Sequence, residues 1–362
     1  LAVDHLYEML EGQVAAISSG LLPPEEIPAI VDALAQSALH REDQDSFMLY
    51  PKRELPGFLA KNSLPKSAVE SNPLLMGLLD SGDTTIIEKD AEGIFRFAPS
   101  VTSGAGLAEA LDHLSAHPDW SELVAAQRAS VDELFEDVFQ HRRFTGRSGS
   151  MYKYEGLGSI YWHMVAKLLV AVQESYWHSH ASGGSAETRS QIAAAYYRVR
   201  RGLSSEKTPS EYGAFPTDPY SHSPSHMGAQ QPGMTGQVKE EILTRWGELG
   251  VRIRDGAIEF QPILLRRREF LSGEQEWAYV DVAGAKQHLR VPVDSLAFTF
   301  CQVPVTYTLG DAPRIEATLA DGSKQRFDGL RLDDPTSRAI FARSGEVARV
   351  DVVVPETIVT LP

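Results

Sequence analysis

The spacing of apolar residues changes once along this chain, at Gly250, and that change limits the fold more than any other feature. Before it, apolar side chains recur every three or four positions; after it, they alternate. Within Ser121 to His141, Val131, Leu134, Phe135, Val138 and Phe139 fall at i, i+3, i+4, i+7 and i+8, one face of a helix. Beyond Gly250, Val251 to Arg254 and Ala257 to Phe260 flank Asp255-Gly256, the residues a type I′ hairpin turn needs. Asp321-Gly322 marks a second hairpin, and Val347 to Val354 is a β-branched strand. Helices followed by strands build separate layers or domains, not an alternating α/β sheet. The expectation is an α+β multidomain chain, helical over 1–250 with an irregular insertion at 43–104, and β over 251–362.

Punctuation refines the helical part. Asp4 to Ile17 and Glu25 to His40 read as helices, the first ended by Gly20 and the second opened by Pro23-Pro24. Pro51, Pro56, Pro65, Pro73 and Pro99 interrupt the next stretch, which leaves room for a hairpin around Asp90 to Gly93. Leu157 to Trp177 is apolar around nearly its whole circumference, which suits a helix inside a larger helical assembly. Ser185 to Arg200 follows, with Ser185 as N-cap and Gly202 as stop. The polar segment Leu203 to Pro232 carries five prolines, and its length suits a functional loop or a disordered one. Met234 to Leu249 reads as one more helix.

A net charge of −15 opposes nucleic acid and anionic membranes as partners. The basic groups Arg266-Arg267-Arg268 and Arg198, Arg200 and Arg201 read as solvated faces. The single cysteine, Cys301, allows no internal disulfide and reads as a small core residue between Leu296 and Val305. No run of about eighteen uncharged apolar residues occurs, so no membrane span is expected. Leu1-Ala2-Val3-Asp4 does not read as a signal peptide, which points to the cytoplasm, with the periplasm as the alternative. No dinucleotide fingerprint, nucleophile elbow or phosphate loop is present.

Two stretches depart from ordinary scaffold. Phe144 to His163 is rich in glycine, hydroxyls and aromatics, a mixture that suits a sugar cleft; Tyr152, Tyr154 and Trp162 are its candidate stacking residues. Glu155 is the only carboxylate between Asp137 and Glu174. Among aromatics its carboxyl would be desolvated and its pKa raised, as a general acid requires. A helix-starting Glu that balances the dipole is the competing reading. In the second stretch, Tyr212 to Gln237, Thr235-Gly236 opens a helix and offers a hydroxyl and free N–H groups to an anion. Plain capping is the competing reading there. Asp218, Tyr220, Gln230 and Gln231 are further substrate-binding candidates. His222 and His226 lie four apart, but the prolines around them break helical register and no third ligand follows, so no metal is expected. Glu240 and Glu241 are expected to face solvent or the helix dipole.

The order of these parts resembles the C-terminal half of the cellobiose and chitobiose phosphorylases, glycoside hydrolase family 94 of the six-hairpin glycosidases. The likeness covers roughly residues 120–270, and it rests on Pro219-Tyr220-Ser221, His226, Thr235-Gly236 and the hairpin Gly250 to Pro262. It implies an (α/α)6-toroid-like helical domain, here partial, followed by an antiparallel β-sandwich or jelly-roll-like domain. It also implies that inorganic phosphate, as co-substrate, attacks an anomeric carbon with inversion. His226, Thr235 and Gly236 would hold the phosphate, with His222 able to replace His226. Phosphate then stands where an inverting hydrolase activates water, so one protein carboxyl suffices. That family's acid is an Asp, whereas this chain has no Asp from 138 to 217 and Glu155 is the nearest carboxyl.

The functional expectation is therefore an enzyme that phosphorolyses or hydrolyses glycosidic bonds with inversion, as a portion of a longer polypeptide or a divergent relative. Its partners would be an oligosaccharide or disaccharide, and a second copy or the rest of a longer chain. Two alternatives stay open: a non-catalytic carbohydrate-binding or scaffolding portion, and an interaction module of stacked helices.

Overall fold

The computed structural model describes residues 8–52, 56–140, 158–203, 206–212, 222–223 and 235–359. Contacts divide the chain into two compact units, one of residues 1–49 and 159–362 and one of 50–158. No helix among the described residues is long and apolar enough to cross a membrane.

The first unit opens with α1 (Leu10–Ser18) and α2 (Ile27–Gln36), the latter led in by a 3-10 turn at Pro24–Glu26. The expected helix to His40 stops four residues early. Ser37 turns extended, and its hydroxyl hydrogen-bonds the Leu34 carbonyl at 2.8 Å, a local bond that competes with another helical turn. A short antiparallel pair follows, β1 (His40–Arg41) and β2 (Ser46–Phe47), turned through Asp45 in the left-handed region.

The second unit holds α3 (Phe58–Lys61), α4 (Lys66–Glu70), α5 (Pro73–Ser81), β3 (Ile87–Lys89), β4 (Phe95–Phe97), α6 (Gly104–Ser115) and α7 (Ser121–Phe139). Two of the prolines that suggest irregularity, Pro65 and Pro73, start helices instead. Pro73 occupies the first position of α5, and the Asn72 side chain accepts from the N–H groups of Leu74 and Leu75, both at 3.1 Å. The expected hairpin forms between β3 and β4, with Asp90 accepting from the Ile94 N–H at 2.8 Å. Leu74, Leu78, Phe97, Leu107, Leu111, Val131 and Phe135 share one core, so the unit reaches past the expected 104 to include α6 and α7.

The first unit resumes with β5 (Ile160–Tyr161), α8 (Trp162–Ala181), α9 (Ala186–Arg201), α10 (Pro209–Tyr212), β6 (His222–Ser223) and α11 (Thr235–Leu249). Leu49 N–H donates to the Ser159 carbonyl at 2.9 Å and Met48 bridges Ile160, so the two ends of the interruption lie side by side. The all-round apolar helix is α8, shifted from the expected Leu157 start because 160–161 spend their backbone bonds on β6. Trp162, Val165, Leu168, Leu169, Val172 and Tyr176 are buried on its several sides. Buried polar groups tie α8, α9 and α11 together. Gln173 donates to the Thr244 carbonyl at 2.8 Å, and the Tyr196 hydroxyl to Glu248 at 2.6 Å. Arg200, expected on a solvated face, is 4% exposed and lies 3.3 Å from Glu248.

The hairpin β7 (Val251–Arg254) and β8 (Ala257–Phe260) turns through left-handed Asp255 and Gly256 as expected. Gly250 is itself left-handed, and a Cβ there would overlap the Gln261 backbone, so only glycine fits this junction. The ribbon of β9 (Gln275–Val280) and β10 (Lys286–Val291) comes next. A five-stranded sheet then forms from β11 (Ser295–Phe300), β12 (Val303–Gly310), β13 (Arg314–Leu319), β14 (Lys324–Asp328) and β15 (Val347–Pro355), with α12 (Asp334–Ala342) between the last two. Its order is β11-β12-β15-β13-β14, and β12 pairs with β15 in parallel. The expectation of purely antiparallel strands is corrected here: β13, β14 and α12 supply the crossover that a parallel pair requires. Val350, Val352 and Val354 are buried because β15 is the middle strand. Cys301 is not a core strand residue but half-buried in the left-handed turn between β11 and β12.

Helices and strands share this unit without a seam at Gly250. Tyr307 donates to the Leu249 carbonyl at 2.7 Å, Tyr176 to Ile263 at 2.9 Å and Tyr197 to Leu264 at 2.6 Å. Trp246 of α11 meets Phe300 edge-on at 5.2 Å between ring centres.

Candidate functional site

The start of α8 gathers most of the chemistry of the first unit. β5 runs straight into this helix, and β5 pairs Tyr161 with His222 and Ile160 with Ser223. That backbone pairing joins the two stretches singled out in the sequence, through residues 61 and 63 positions apart. Thr235 and Gly236 are the first two residues of α11, which packs along α8.

His163, in the first turn of α8, points its ring at two partners. Its Nδ1 is 3.4 Å from the Tyr161 hydroxyl, and its Nε2 is 3.3 Å from Glu240 of α11. Glu240 is 6% exposed, so the expectation that it faces solvent is corrected: α11 turns it inward against α8. Glu240 lies five residues past Thr235, so His163 stands roughly 7 Å along the axis from the opening turn of α11.

On the other flank of β5, Lys207 places its ammonium 5.1 Å from the centre of the Trp162 ring. It also donates to the Gln44 carbonyl at 2.9 Å and to the Gln44 side-chain oxygen at 2.6 Å. Burial pushes its pKa down to about 8, against the opposing pull of Glu211 and Asp43. Gln44 in turn donates to the Glu211 carbonyl at 3.0 Å, and the buried Arg41 pairs with Asp43 at 2.7 Å. Trp162 is 1% exposed, so its ring offers no open face to a sugar. It is a buried platform for Lys207 instead, because it begins the helix at the centre of the unit.

Of the sequence candidates, Trp162, His222, Thr235 and Gly236 lie among the described residues, and β5, β6, α8 and α11 bring their backbones into one neighbourhood. Glu155, Tyr152, Tyr154, Asp218, Tyr220, His226, Gln230 and Gln231 lie outside them. Sequence reasoning missed His163, Glu240 and Lys207. His163 closes the glycine-aromatic stretch and Glu240 sits one turn past Thr235-Gly236, a signal that becomes readable once both helices are known to pack.

Residues 55–142 match the family model described as GH149 phosphorylase insertion domain 2, and the match falls inside the compact unit 50–158. It makes the chain similar to glycoside phosphorylases through GH149, and not through family 94 in particular. No curated protein matches the chain.

Proposed function

We propose that this chain is part of a glycoside phosphorylase in which phosphate attacks the anomeric carbon of an oligosaccharide or disaccharide with inversion. The match of residues 55–142 to a phosphorylase insertion domain carries this reading. The pairing of β5 with β6 supports it, since a loop suited to sugars and a loop suited to anions then border the same helix start.

In this reading the phosphate sits at the N-terminus of α11, where the first-turn N–H groups and the dipole of a 15-residue helix would favour an anion. Thr235 and Gly236 form that end, and His222 of β6 and His226, which lies outside the described residues, precede it in the sequence. His163, 3.3 Å from Glu240, stands one to two turns away as a further polar group of the site. Glu155 remains the proposed acid that protonates the leaving oxygen, with Tyr152, Tyr154, Asp218, Tyr220, Gln230 and Gln231 as sugar contacts. The helices of the first unit would then be part of an (α/α)6-type barrel.

The test is product analysis with and without phosphate. We expect glycosyl phosphate to appear only when phosphate is added, and His163→Gln to lower kcat/KM on the order of 100-fold, as loss of a preorganised electrostatic group does. Release of free sugar at equal rate without phosphate would instead identify a hydrolase. A second reading, a non-catalytic carbohydrate-binding portion, is favoured by the lack of any Asp from 138 to 217. Glycan binding with no turnover under either condition would establish it.

A further inference from the structure

The buried and half-buried arginines of the described residues follow a rule with two exceptions. Arg41, Arg96, Arg128, Arg198, Arg200, Arg245, Arg266 and Arg349 each meet a carboxylate within 4 Å. Among the described residues, Arg189 and Arg252, both half-buried, have no carboxylate within 4 Å, although Arg252 faces Glu259 across the β7–β8 pair and feels its charge. In a chain of net charge −15, with acidic partners in excess, Arg189 is the departure from that rule. Both guanidinium groups flank one imidazole, His180, in the last turn of α8. Arg252 lies 4.3 Å from the centre of the Trp177 ring, which meets His180 edge-on at 6.0 Å. Burial and these two positive charges hold the His180 pKa below its ordinary value.

Arg189 and His180 line a cavity of about 560 Å³, within the range that takes small organic ligands. The remaining wall includes the Ser190 and Thr357 hydroxyls and the apolar Ala193, Ile263 and Ile358. Arg189 uses one nitrogen to hold the Gly184 carbonyl, which fixes the guanidinium while leaving its other donors free. α8 has 20 residues and so spans roughly 30 Å, which separates this cavity from the site at its other end.

We propose that this cavity binds a small phosphate monoester, its phosphoryl oxygens taken by Arg189, His180, Ser190 and Thr357 and its carbon skeleton resting on Ile263 and Ile358. A guanidinium matches two phosphoryl oxygens at once, and hydroxyls supply the remaining donors. The volume exceeds what an inorganic oxyanion fills, which favours the organic ester. The inference is independent of the reading of the α11 site.

The experiment titrates the chain with a hexose 6-phosphate, the free hexose and inorganic phosphate, followed by calorimetry and by the imidazole proton signals of His180. The ester is expected to saturate at a Kd of about 1 mM or tighter, to shift the His180 signals, and to bind at least 10-fold more tightly than either component. Arg189→Gln and Ser190→Glu should each weaken it at least 10-fold. Thr357→Val, which leaves the Gly184 contact untouched, guards against loss through misfolding and should weaken it several-fold. Thr235→Val should leave the His180 shift intact. Unmoved His180 signals at 10-fold higher ester concentration, unchanged binding in the Arg189 and Ser190 variants, or equal affinity for inorganic phosphate would each overturn the proposal.

Discussion

Lys207 hydrogen-bonds both oxygens of Gln44 and lies over Trp162, and in that place its ammonium is short of water. Its pKa falls from 10.5 to about 8, with burial as the largest cause. Between those values the unfolded chain keeps a proton that the folded chain has released, so the folded state gains stability as pH rises through this window. Lys207→Met removes that dependence. Urea midpoints measured from pH 7 to 10.5 should show the wild type gaining on the variant as pH rises; parallel profiles would contradict the assignment. Little of this was legible at the residue scale. Lys207 stands in a polar loop like any surface lysine, and Glu240 beside Glu241 looks solvated. The fold, and not their neighbours in sequence, makes them special.

Among the elements, α11 shows how close approach constrains a helix. A Cβ on Gly247 would overlap the Gln173 side chain of α8, and Gln173 cannot swing away while it bonds the Thr244 carbonyl. Gly247→Ala should therefore cost about 1–3 kcal/mol in spite of the better helix propensity of alanine. Chemical denaturation reads the sign directly, since a stabilised variant would mean the two helices do not pack so closely. Elements were largely readable in advance. Ser185 caps α9 through the Thr188 N–H at 3.0 Å, and Asp-Gly closes β7 onto β8, because caps and turns are local chemistry. β5 was not readable: its two residues look helical and become a strand only because β6 arrives beside them.

For the whole molecule, the interruption at 50–158 carries its own apolar core and leaves from ends already joined by the Leu49–Ser159 hydrogen bond of 2.9 Å. Domains inserted at adjacent chain ends are commonly removable. Replacing 50–158 by a short Gly-Ser turn should leave a folded protein with a cooperative thermal transition. Loss of that transition in circular dichroism would show that the first unit depends on its insert. The irregularity expected at 43–104 arose in part from counting Pro65 and Pro73 as breaks where they serve as helix starts.

Local sequence settled by itself the change from helices to strands at Gly250, the left-handed turn at Asp255-Gly256 and the apolar character of α8 around most of its circumference, since each depends on neighbours within a few positions. The tertiary structure decided the parallel pairing of β12 with β15, the meeting of β5 and β6, the burial of Glu240 against His163 and the placing of Arg189 beside His180. Those are contacts between residues far apart in the chain, and the free energy that selects them comes from packing and desolvation, which no local pattern records.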